Sequence, residues 1–302
     1  MVVEEGERRA ERTFDGDVLR PAGLELLRAC LSTRLGSHLA EEAARLLAAP
    51  EGTEVSADLL LGPALVSALI ARTVAPSLEV PRMLDGWCGS DAATRVGSTI
   101  VGLSDIDETT LASPALSLEL DPEGARFDAE GAPYDRATRE EMTVVRDGRL
   151  VAGLGGAIAR HEGVVPTLSA LGGDGWEVPT VRPTLRLVPG EDSWPQLLAR
   201  VESGYWVEGP AWFSFDAARD RGWVGGEWGR RIENGEPGAL VRRPAFRYDS
   251  ATFWPALRAV GDASQRVVRG LELDEWESFE AASPTALFGD VSFGFRPSSG
   301  GA

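Results

Sequence analysis

Two dipeptides constrain this chain more than any other feature. Asp147-Gly148 sits inside EMTVVRDGRLVAGL (141–154), and Asn234-Gly235 sits inside VGGEWGRRIENGEPGALVRRP (224–244). Such pairs tolerate the positive φ angles that a two-residue hairpin turn demands at both central positions. Each therefore forces two strands to run antiparallel. Further strand patterns surround them: PALSLELDP (114–122), VRPTLRLVPG (181–190), GYWVEG (204–209) and AWFSFD (211–216). In DVSFGFRP (290–297), Val291, Phe293 and Phe295 alternate with Ser292, Gly294 and Arg296, the period of a half-buried strand.

The front of the chain has a different period. Leu24, Leu27, Leu31, Leu35, Leu39, Ala43 and Leu46 recur every three or four residues between Pro21 and Pro50, which predicts an amphipathic helix. A second, apolar helix is expected over LVSALIARTVAP (65–76), after Gly62-Pro63, and a short third one over SATFWPALRAVG (250–261), ended by Gly261. Residues 1–20 are charged and read as a frayed end, EGTEVSAD (51–58) as a linker or short strand, and residues 77–113 as a long irregular loop or insert. The fold class is α+β: a short helical N-terminal part, then a large, mainly antiparallel sheet domain.

Charge narrows the partners. The 302 residues carry a net charge of −17, which disfavours nucleic acid and anionic membrane surfaces. Every basic side chain is arginine, since the sequence has no lysine. The hydrophobic content of 43% is enough for a sizeable core. No secretory signal core and no membrane-length apolar run is present, so a cytoplasmic location is expected, with Cys30 and Cys88 as reduced, buried thiols.

Candidate chemistry is sparse. The two histidines, His38 and His161, match no metal spacing, and the adjacent Glu162 makes an HE pair with no second histidine at helical distance. GLGGA (153–157) lacks the helix and ribose-binding acid of a dinucleotide fingerprint, and Cys88-Gly-Ser has no histidine near it. Carboxylates are plentiful: Asp121, Glu123, Asp128, Glu130, Glu202, Glu208, Asp216, Glu227 and Glu233. Two of them across a cleft would suit a glycosidase, with some of the nine tryptophans as stacking platforms, but the sequence selects no pair.

Three stretches in register alter this reading. Asp128-Ala-Glu-Gly-Ala-Pro133 precedes the first hairpin, Arg182-Pro-Thr184 precedes Pro189-Gly-Glu191, and Ile232-Glu-Asn-Gly-Glu236 precedes a helix pattern. In order and spacing they resemble the TldD/PmbA family, also called the modulator-of-gyrase or peptidase U62 family, over about residues 55–302. The resemblance implies two kinds of subunit paired as a heterodimer. The TldD type holds zinc through two histidines of a helix and a later cysteine, with a glutamate as general base. The TldE (PmbA) type has the same fold without the metal and completes a peptide channel.

On that alignment, the first histidine and the glutamate fall on Ala71 and Arg72, and the second histidine falls on Pro76. The late cysteine has no counterpart in LDEWESFEAASPTALFG (273–289). The chain therefore resembles the TldE type: no metal or other cofactor of its own, zinc expected in a TldD-type partner, and a peptide as substrate of the pair. Tyr205, Trp206, Glu208, Arg231, Glu233 and Asn234 are the expected substrate-contacting residues, on strands that could hold an extended peptide. Residues 1–54 would be a shortened helical N-terminal region and 55–302 the family domain. Maturation of a peptide-derived natural product is one possible setting. The alternatives are a stand-alone peptide- or ligand-binding protein that kept the fold, and an enzyme rebuilt on carboxylates of the old channel.

Overall fold

A computed structural model describes residues 2–5, 8–12, 35–51, 54–78, 106–108, 110–121, 142–153, 184–209, 211–215, 221–265, 267–274 and 277–295. Cys30, Cys88, His161, the GLGGA run and the Asp128–Pro133 segment lie outside them, as does most of the 77–113 stretch.

The chain opens with β1 (Val2–Glu5) and β2 (Arg8–Glu11), an antiparallel pair in which Glu4 faces Arg9 and Glu5 faces Arg8. This corrects the expectation of a frayed start for residues 2–5 and 8–11, where opposite charges at facing positions favour pairing, while residues 13–20 lie outside the described ones. α1 (Leu35–Ala48) falls within the span expected for the first helix, and residues 21–34 of that span lie outside the described ones. β3 (Val55–Leu61) follows and leads directly into a continuous helical run. That run is α2 (Pro63–Leu69), a π-helical turn (Ile70–Val74) and α3 (Ala75–Leu78). Pro63 suits the first helical turn, where its missing N–H costs nothing.

The strands then follow in quick succession. β4 (Leu118–Asp121), β5 (Met142–Arg146), β6 (Arg149–Leu150) and β7 (Thr184–Leu187) precede the short helix α4 (Trp194–Ala199). Next come β8 (Ser203–Glu208), β9 (Trp212–Phe215), β10 (Arg221–Gly225), β11 (Trp228–Glu233), β12 (Glu236–Arg242) and β13 (Pro244–Asp249). The segment expected to be one helix over 250–261 splits into α5 (Ser250–Phe253), a 3-10 turn (Trp254–Ala256) and β14 (Leu257–Val260). β15 (Val267–Asp274), β16 (Glu277–Ser283) and β17 (Ala286–Phe295) complete the described chain.

Among the described residues these strands form three sheets rather than one. The N-terminal pair stands alone. A nine-stranded sheet runs β12-β11-β8-β3-β17-β13-β10-β9, with β14 also on β17, and a six-stranded sheet runs β15-β16-β7-β4-β5-β6. Pairing is antiparallel except for β3 with β8 and β16 with β7. The architecture is thus α+β with large, mostly antiparallel sheets.

The helical run is the hub of the core. Leu65, Leu69, Ile70, Ala71 and Leu78 share one buried cluster with Leu59, Leu61, Phe246 and Phe288 of the nine-stranded sheet and with Leu118, Val145 and Leu187 of the six-stranded sheet. α4 covers the opposite face of the nine-stranded sheet, where Leu197, Leu198 and Val201 pack on Leu60, Ile232 and Leu287. No helix among the described residues is long and apolar enough to cross a membrane.

Candidate functional site

The π-turn lies where the resemblance puts a catalytic helix. Its Ile70 carbonyl accepts from the N–H of Ala75, five residues on. In an ordinary α-helix, residues five apart point to different sides, because a turn takes 3.6 residues; the wider π-turn draws them toward one side. Two metal ligands at positions 71 and 76 would need that geometry. The turn is present here, but the side chains do not fit a metal. Ala71 is a methyl group with no exposed surface, packed in the central core. Pro76 has no donor atom. Arg72 is half-buried, with its guanidinium 5.9 Å from the Phe213 ring centroid, and it can neither ligate a cation nor accept a proton.

A buried hydrogen-bond chain holds the turn. Thr73 Oγ1 donates to the Leu69 carbonyl at 2.7 Å and accepts from Trp254 Nε1 at 3.1 Å. Trp254 in turn stands edge-on to Phe253 and Phe288. Phe253 contacts Tyr248, Tyr248 contacts Phe215, and Phe215 contacts Phe213, with ring centroids 5.3 to 5.4 Å apart. An aromatic arc thus runs from Thr73 on one side of the turn to Arg72 on the other. Sequence reasoning missed Thr73 and Trp254, because no local pattern links residues so far apart in the chain.

The six expected substrate-contacting residues do not form one surface. β8 and β11 pair with Tyr205 opposite Arg231 and Glu208 opposite Trp228. Alternation then puts Tyr205, Arg231 and Glu233 on the face toward the helical hub, and Trp206 and Glu208 on the face toward α4. Tyr205 stacks on Phe293 at 3.8 Å, and Arg231 pairs with Glu233 at 2.9 Å, both exposed. Trp206 contacts Trp194 and Trp228, and its Nε1 donates to Glu208 Oε1 at 3.1 Å.

Glu208 has a further structural task. Its carboxylate fills the space beside Gly62, where any Cβ would come within 2.3 Å, at the start of the helical run. A negative charge is favourable there, against the helix dipole. Asn234 is a turn residue: its φ is 50°, its N–H donates to the Glu202 carbonyl, and that of Gly235 donates to the Val201 carbonyl. Both β8 and β11 are interior strands, so neither has a free edge for an added peptide strand. The same contacts bear on the carboxylate-pair alternative, since Glu208 meets Trp206 and Glu227 meets Arg12.

The arrangement is a core domain of mixed sheets wrapped around a helix that is apolar or cationic where the resemblance places metal ligands and base. A family model described as "PmbA/TldA metallopeptidase C-terminal domain" matches residues 55–294, most of the chain. The chain belongs to the PmbA/TldD family.

Solved structures agree in fold. A candidate modulator of a DNA gyrase from Thermotoga maritima superposes with a TM-score of 0.61 at 20% identity, covering 86% of this chain and 54% of that one. A second candidate gyrase modulator, from Bacteroides thetaiotaomicron, gives 0.59 at 20% identity, with 88% and 53% covered. TldE from Thermococcus kodakarensis gives 0.58 at 14% identity, with 85% and 55% covered. The chain therefore spans about half the length of these relatives. Among curated proteins, no sequence match is found.

Proposed function

We propose that this chain is a metal-free TldE-type subunit that pairs with a zinc-bearing TldD-type subunit and helps enclose the peptide channel of the pair. The observation that carries the reading is the π-turn, which keeps the geometry of a ligand-bearing helix while carrying Ala71 and Arg72 at the ligand and base positions. An arginine stays protonated and cannot replace a general base. On this reading the family domain is residues 55–302, the location is the cytoplasm, and the substrates are peptides, such as precursors of a natural product. Of the residues expected to touch peptide, Arg231 and Glu233 keep exposed side chains on the hub face.

Co-expression with a TldD-type protein tests this, with metal analysis and a peptide-cleavage assay on the chain alone, the partner alone and the pair. The expected outcome is a stable complex, zinc in the partner only, cleavage that needs both chains, and cleavage retained in Arg72→Gln. Stoichiometric zinc in the isolated chain, with cleavage, would overturn the reading. A chain that ignores the TldD-type protein but binds peptide would return it to the stand-alone binding class.

A further inference from the structure

The N-terminal residues bear on the nine-stranded sheet in a way that is independent of the proposed function. β12 is an outer strand of that sheet. An outer strand presents unpaired N–H and C=O groups, and proteins generally shield them. In this chain the shielding is specific. Pro237 has no N–H to offer. At the bulge beside it, Arg230 Nη1 donates to the Gly238 carbonyl at 2.9 Å. At the other end, the Arg242 N–H donates to the Pro50 carbonyl at 2.9 Å, and Glu51 bridges Arg242 in parallel.

Side chains follow the same path. The Glu51 carboxylate lies 3.2 Å from Arg242 and 3.8 Å from Arg243. Ala10, Leu46 and Leu47 are buried in a cluster of their own, against which Val3, Trp228 and Leu240 pack. Arg12 joins all three elements: it meets Glu42 of α1 at 2.9 Å and Glu227 at 3.4 Å, and its guanidinium lies 5.6 Å from the Trp228 ring centroid. The Arg12 and Glu227 side chains are only 15% and 7% exposed, so this ion pair is largely withdrawn from water. Removing one member of such a pair strands the other charge.

We propose that β1, β2 and Arg12, together with α1 and Pro50-Glu51, are a strap that holds the β11–β12 edge of the nine-stranded sheet closed, with Arg12 as its clasp. The strap lies outside the residues that the family model matches, yet it completes the edge of the family domain.

Hydrogen exchange on the full chain tests the proposal in the wild type, Arg12→Met and Arg12→Met/Glu227→Gln. In Arg12→Met, amides of residues 2–11 and 228–242 should exchange about tenfold faster or more, while those of the hairpin at 142–150 hold their wild-type rate. The double variant should recover part of the loss, since it also removes the charge that Arg12 compensates. Arg12→Lys keeps the charge without the planar fork and should accelerate the same segments less; it serves as the readout should Arg12→Met fail to fold. Unchanged exchange at 228–242 would overturn the strap. So would equal acceleration at 142–150, because Arg12 would then act on the whole fold and not on one edge.

Discussion

Thr73 is the residue on which the π-turn depends. Its hydroxyl both gives and accepts a hydrogen bond, and both partners are in the protein interior. Thr73→Val keeps the shape but leaves the Trp254 N–H buried without its acceptor, which costs about 1–3 kcal/mol. Trp254→Phe removes the donor, and the Thr73 hydroxyl left behind still donates to the Leu69 carbonyl, so less of its loss comes from an unmet polar group and more from packing. Urea denaturation of the two single variants and the double separates these terms: the double should lose less than the sum of the singles. A strictly additive result would mean that the Thr73–Trp254 bond does not couple the turn to the aromatic arc.

Asp262 makes a pH-dependent prediction at the same scale. The Ser264 hydroxyl donates to its carboxylate at 2.5 Å, and this bond, ahead of those from the Ser264 backbone and Gln265, holds its pKa below the usual carboxylate value. The folded state therefore prefers the ionised form. That preference is fully present above the ordinary carboxylate pKa and is lost as pH falls through the lowered value. Ser264→Ala should move the Asp262 titration upward in an NMR pH series. An unchanged midpoint would show that the hydroxyl is not the cause.

At the scale of elements, the two hairpin turns were legible because their chemistry is local. Asp147 and Asn234 have φ near +50°, and Gly148 and Gly235 both stand at +77°. Each turn is also docked. A Cβ on Gly148 would come within 2.3 Å of the Ala112 carbonyl oxygen, and one on Gly235 within 3.1 Å of Ala199 Cα. Both Gly→Ala variants should lose at least ~1–2 kcal/mol from the positive φ alone. Gly148→Ala should lose more, since it meets fixed backbone at the closer distance. Thermal melts of the two variants check the ranking.

Other elements were not legible, for identifiable reasons. β1 and β2 are too charged to show an apolar period, and their pairing depends on which charge faces which. The Leu257–Val260 segment follows a helical turn without a break, and only its pairing with β17 makes it a strand. The site divided for a related reason. Composition placed Tyr205, Trp206 and Glu208 on one strand, but the faces they occupy depend on register with β3 and β11. The apolar and cationic residue types at positions 71 and 72 were readable directly; the π-turn that carries those positions was not.

At the scale of the whole molecule, two large sheets share one core through a single helical run. α2 lies against β15 and β16 of the six-stranded sheet and against β8 of the nine-stranded one, and its residues share a buried cluster with both sheets. Ala71 and Ile70 have no exposed surface, so at these positions the helix serves as support. Leu65 tests whether that support is shared. It is fully buried in α2 and lies in a different cluster from the clasp. Leu65→Ala should cost about 2–5 kcal/mol through lost contacts and the cavity left behind. If the run joins the sheets into one cooperative unit, exchange should accelerate together in β3 and β17 of the nine-stranded sheet and in β4 and β5 of the six-stranded one. Acceleration in one sheet alone would mean that the helix belongs to that sheet and that the other is stabilised independently. The role of the helix as a common support would then fail.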